Sequence, residues 1–142
     1  MEENYSLLFL KKDIYQKLLH LLLKESTTFC LVDSMIDNNA DFDEDGFLVE
    51  LPCSKEALKP YYVNRKKVKK WPGTIKNSKK AELHTYKTCK NSIDYLKNFN
   101  SFFDIEDQID ISFFYKESCI FYTISHEELC YIKNDLLKKI NL

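Results

Sequence analysis

Apolar and polar positions follow two different periods along this chain, and the switches between them mark its elements. From Tyr5 to Glu25, Leu7, Leu10, Ile14, Leu18, Leu21 and Leu22 recur at helical spacing. The first 25 residues therefore read as helical, either as one helix or as two if Asp13 and Gln16 cap a second beginning near Ile14. Leu19 and Leu23 widen the stripe, which favours packing on a core over pairing with a partner helix. Thr27 to Val32 and Phe47 to Leu51 are rich in β-branched and apolar residues and read as strands, with Asp45-Gly46 as a hairpin-type turn signal before the second. The stretch between them is loop, with room for a short strand at Asp41 to Asp43. Ser54 to Lys59 can form one helical turn capped by Ser54 and stopped by Pro60.

Ala81 to Lys87 alternates like a strand, and Ser92 to Phe99 reads as a short helix with Ile93 and Leu96 inward. Asp110 to Tyr115 and Cys119 to Ile124, dense in Ile, Phe and Tyr around Lys116-Glu117-Ser118, read as a β-hairpin. The C-terminal segment supports two readings. Ser125 and Glu128 have capping-box spacing, and Leu129, Ile132, Leu136 and Ile140 continue at helical spacing, which predicts one C-terminal helix. The competing reading makes Leu129 to Ile132 a third meander strand and leaves only Asn134 to Ile140 helical. Together these elements predict a single α+β domain over residues 1–142, an antiparallel sheet of four to five strands with N-terminal and C-terminal helices.

Composition narrows the function. A chain of 142 residues, 44% hydrophobic, is long enough to bury roughly two thirds of its unfolded surface in one core. Ten Phe and nine Tyr point to an aromatic-rich core or to an aromatic recognition surface. Only two glycines occur, Gly46 and Gly73, too far apart for a P-loop or a dinucleotide-binding turn. Five scattered cysteines, Cys30, Cys53, Cys89, Cys119 and Cys130, form no Cys-x-x-Cys pair; they fit reduced thiols in a cytoplasmic protein better than a zinc ribbon or a disulfide framework. Met1-Glu2-Glu3-Asn4 is acidic where a secretory signal is basic, and no apolar run approaches the ~20 residues of a membrane span. No cofactor is expected.

Charge changes the picture most. Asp33 to Glu50 carries seven acidic residues and no basic one, while Arg65 to Lys80 carries eight basic residues and no acidic one, so a net charge of -1 conceals two opposed blocks. Within the acidic block, Asp41-Phe42-Asp43-Glu44-Asp45-Gly46-Phe47-Leu48 resembles the first two thirds of an EF-hand calcium loop, with Asp41, Asp43 and Asp45 at its first, third and fifth positions. The pattern breaks at the twelfth position, where Pro52 replaces the bidentate Glu, and the flanking segments read as strands. No metal is therefore expected there. His126 and Glu127 begin a metalloprotease-like run, but Cys130 stands where the second His is required.

These observations predict a non-enzymatic, cytoplasmic protein-binding domain. Its partner surface is the acidic, aromatic loop Asp41, Phe42, Asp43, Glu44, Asp45 and Phe47, which combines charge for steering with apolar anchors. A basic nuclease or another toxin is the natural complement, making the chain an inhibitor or immunity-type protein. The alternative is an RNA- or DNA-binding module, in which Arg65, Lys66, Lys67, Lys69 and Lys70 meet phosphates and Trp71 stacks on a base.

Overall fold

The computed structural model describes residues 3–4, 11–33, 42–47, 55–74, 81–105 and 109–140. In chain order the elements are β1 (Glu3–Asn4), α1 (Lys12–Glu25), β2 (Thr28–Asp33), α2 (Lys55–Leu58), β3 (Tyr62–Val68), β4 (Ala81–Lys87), α3 (Lys90–Leu96), β5 (Ile109–Tyr115), β6 (Ser118–Ile124), β7 (Leu129–Ile132) and α4 (Asn134–Leu137). The seven strands form one antiparallel sheet in the order β1-β7-β6-β5-β2-β4-β3. The α+β class holds, with more strands than the four or five expected.

The apolar stripe produces α1 as anticipated. Asp13 in the first turn and Lys24 in the last complement the helix dipole. The Ser26 hydroxyl donates to the Leu22 carbonyl at 2.7 Å where the helix ends. Ile14, Tyr15, Leu18, Leu19 and Leu22 are buried, so the widened stripe serves the core. Residues 5–10 lie outside the described residues. The Tyr15 hydroxyl donates to the Leu96 carbonyl at 2.6 Å and ties α1 to the end of α3. Helix α3 starts earlier than the expected Ser92; the Ser92 hydroxyl bonds back to the Lys87 and Cys89 carbonyls, closing the turn that leads from β4 into the helix.

Strand alternation assigns the sheet two unlike faces. On one, Phe29, Leu31, Tyr86, Ile111, Phe113, Phe121 and Ile132 meet α1 and α3 in the main core. Phe102 joins this cluster, with ring centroids 4.8 Å from Tyr15 and 5.0 Å from Phe121. Much of the aromatic content is thus interior. On the other face, Cys30, Val32, Ala81 and Leu83 form a smaller cluster under Trp71, with Val68 and Phe114 beside it and no helical residue in it.

Two segments depart from expectation, and a third decides between two readings. The basic block, whose sequence reads as a connection with a turn at Trp71-Pro72-Gly73, is in part a strand: Arg65, Lys66 and Lys67 lie within β3, paired with β4, because cross-strand bonding to a well-buried neighbour overrides the poor strand propensity of lysine. β3 is the last strand of the sheet on that side among the described strands, and its exposed lysines suit an edge that must resist pairing with other chains. At the C-terminus, the single long helix gives way to the meander reading. Ser125–Glu127 makes one 3-10 turn, Glu128 takes a left-handed conformation at φ 53°, and β7 follows, burying Cys130 and Ile132. Lastly, Pro60 does not terminate the segment after α2; a further 3-10 turn, Lys59–Tyr61, accommodates it in its first positions. The expected strand at Phe47 to Leu51 falls, beyond Phe47, outside the described residues, as do Asp41 and Ser54.

Candidate functional site

Among the described residues, the two charge blocks meet where Asp43 and Phe47 contact Arg65 and Lys67. Asp43 is the centre of a tight turn: its backbone N–H donates to the Phe47 carbonyl at 2.7 Å, its carbonyl accepts from the Gly46 N–H at 3.0 Å, and its Oδ1 accepts from the Asp45 and Phe47 N–H groups at 3.0 and 2.9 Å. Gly46 supplies the positive φ of 83° that the turn requires. Asp43 Oδ2 is bound by the Arg65 guanidinium on β3. The Phe47 N–H bond above all, with the Arg65 charge, holds the Asp43 carboxyl below the usual carboxylate range against a weaker opposing effect of desolvation. The Arg65 guanidinium also lies over the Phe47 ring, 4.7 Å from its centroid, and Lys67 Nζ stands 5.7 Å from the same ring.

This arrangement explains how the sequence clue resolves. Alternation along β3 sends Arg65 and Lys67 to one face of the sheet and Lys66 to the other, so the basic block is divided in two. Arg65 and Lys67 engage the acidic turn. Asp43 and Phe47 face inward and anchor it, while Phe42, at 48% exposure, and the carboxylates of Glu44 and Asp45 remain on the surface. The calcium-loop resemblance ends here as well, since both oxygens of Asp43 are occupied by protein donors. Among the described residues, no cluster of three His, Cys, Asp or Glu side chains is suited to a metal ion.

Trp71 does not stack on solvent-side ligands from an exposed position. It is 6% exposed, and its Nε1–H donates to Asp110 Oδ2 at 2.9 Å. The other oxygen of this buried carboxylate accepts from the Ser125 N–H at 2.8 Å. Trp71 is thereby a clamp that seats the turn 71–74 over β5 and β6. Lys66, Lys69 and Lys70 are exposed.

A second polar pair lies beneath Arg65. Glu82 and His84 on β4 are fully buried, with Glu82 Oε1 3.4 Å from His84 Nε2, and Arg65 is the cross-strand neighbour of His84. Burial, reinforced by the Arg65 charge, pushes the His84 imidazole down to about 4, so it is neutral at physiological pH. Alternating hydrophobicity marked this strand but gave no sign that two of its buried positions are ionisable.

No helix among the described residues is long and apolar enough to cross a membrane. No protein-family model, no curated protein and no solved structure matches this chain.

Proposed function

We propose that this chain is a non-catalytic protein-binding domain whose acidic turn docks on a basic macromolecular partner, with inhibition of a nuclease or similar toxin as the concrete form. The observation that carries the reading is the pinning of Asp43 by two backbone N–H groups and by Arg65. A turn held this way has lost most of its freedom before a partner arrives, which lowers the entropic penalty of docking. Phe42 then acts as the exposed apolar anchor, with Glu44 and Asp45 as the steering charges around it. Relative to the sequence expectation, Asp43 and Phe47 serve as supports of the turn. Free thiols at Cys30, Cys89 and Cys119 suit action in a reducing compartment such as the cytoplasm.

The test is capture of partners from the native host on immobilised wild-type protein and on the F42A and E44K/D45K variants. A basic protein retained by wild type and lost from both variants supports the reading. A partner retained equally by all three removes it.

A further inference from the structure

The sheet face opposite α1 and α3 carries a feature that the acidic turn does not use. Tyr122 on β6 and Tyr131 on β7 are cross-strand neighbours on that face, stacked with centroids 5.0 Å apart and planes at 16°. Across from them stands the turn Trp71-Pro72-Gly73-Thr74, and between the two lies an open groove of about 810 Å³ lined also by Lys70, Cys119 and Ile124. Gly73 packs so closely on its floor that a Cβ there would sit 2.9 Å from Ile124 Cγ1 and 3.0 Å from Tyr122 Cε2.

Among the described residues the charge lining this groove has one sign: Lys70 lines it and no acidic residue does. Lys66 projects on the same face from β3, opposite Leu83, and Lys87 does so from β4. Asp110, also on this face, is buried and already bonded to Trp71 and Ser125.

We infer that this face binds single-stranded nucleic acid, with Tyr122 and Tyr131 as the stacking platform and Lys70 and Lys66 as phosphate contacts. Flat aromatic rings beside a groove lined by Lys70, with Lys66 further along the same face at about 19 Å and neither lysine ion-paired among the described residues, meet the two chemical demands of an unstacked strand, a π-surface for its bases and positive charge for its backbone. A duplex hides its base faces and has no use for the tyrosines, and an acidic peptide has no use for the stacked rings. The residues differ from those of the acidic turn, so either site can fail without the other.

The experiment measures anisotropy of fluorescein-labelled dT12 and U12, with an abasic deoxyribose-phosphate 12-mer and a 12-base-pair duplex as controls, in about 50 mM salt. Quenching of Trp71, the only tryptophan and a wall of the groove, gives a label-free readout on the same samples. Expected is saturable binding of dT12, U12 or both, at least about tenfold tighter than the abasic strand or the duplex, and weakened about tenfold by Tyr131→Leu. Lys66→Glu/Lys70→Glu, at two exposed positions and with folding checked by far-UV circular dichroism, should weaken binding and flatten the slope of log K against log salt by about 0.7 per lysine. The inference is overturned by no saturable signal up to about 100 µM protein. Equal affinity for the abasic strand or the duplex also overturns it, as does indifference to the double lysine variant.

Discussion

Replacing Trp71 by Phe tests how the fold holds the turn that walls the sheet groove. The substitution keeps an aromatic ring on the cluster of Cys30, Val32, Ala81 and Leu83 but removes the Nε1–H that reaches Asp110 at 2.9 Å. Asp110 is 7% exposed and retains only the Ser125 N–H at 2.8 Å. A hydrogen bond to a charged group contributes about 1.5 to 3 kcal/mol, and contraction of indole to phenyl in a buried site adds roughly 1, so W71F should lose about 2 to 4 kcal/mol. For a domain of this size that is a fall in Tm of about 6 to 12 °C. Because the only tryptophan is removed, unfolding in urea must be followed by far-UV circular dichroism. The midpoint should fall with an unchanged m value. Asp110→Asn presents an amide N–H₂ to one of two donors, so in wild type it is costly, and in W71F, where one donor is gone, it is cheaper by about 1 kcal/mol or more. A W71F loss below about 0.5 kcal/mol, or additivity of the two substitutions within that margin, refutes the clamp.

His84 sets an acid limit on stability. An unfolded histidine takes up its proton near 6.5, whereas the buried one waits until about 4. Between those values the unfolded state binds more protons, so stability is full above about pH 6.5 and falls by as much as about 3 kcal/mol as pH drops to 4. H84F should lack that slope in urea titrations at stepped pH; an unchanged slope would contradict the assignment. Cys89 should be the fastest of Cys30, Cys89 and Cys119 to react with iodoacetamide. Desolvation opposes it, but the Ser92 and Asn91 hydrogen bonds and Lys87 together lower its thiol, while burial raises Cys30 and pushes Cys119 up to about 12. Mass-spectrometric mapping that finds Cys119 modified first would be inconsistent with this order. Gly73→Ala forces a β-carbon into a φ of 88° against Ile124 and Tyr122 and should cost about 1 to 3 kcal/mol in the same denaturation assay, with a loss near zero counting against the close packing of the turn.

Where burial governs an element, the sequence made it readable. The leucine stripe of α1 and the Ile- and Phe-rich hairpin β5–β6 carry their pattern because both cover the main core, and β4 alternates because Ala81 and Leu83 cover the smaller cluster on the opposite face. β3 was hidden because both its faces are largely solvated: a strand reading Tyr-Val-Asn-Arg-Lys-Lys-Val has no apolar alternation to detect. β7 was ambiguous for a different reason. Its Ile132, with Leu136 and Ile140, fits helical spacing, and its Cys130 and Ile132 fit strand spacing, so the long-range pairing with β6 decides the conformation. The charge segregation was legible as composition but not as geometry. Once the first three basic residues of the block lie in a strand, alternation alone divides them, turning Arg65 and Lys67 toward the acidic turn and Lys66 away. Trp71 illustrates the limit at the level of one side chain, since its partner Asp110 lies 39 residues away.

The acidic turn, pinned from within and open at Phe42, is the central claim, and a photo-crosslinking amino acid at position 42 tests it most directly. The same group at Glu117, an exposed residue in the β5–β6 turn, serves as the control. After irradiation in native host extract, position 42 should yield a discrete adduct with a basic protein, identified by mass spectrometry, that position 117 does not. The absence of any adduct specific to position 42, or an adduct there with nucleic acid, would contradict the account.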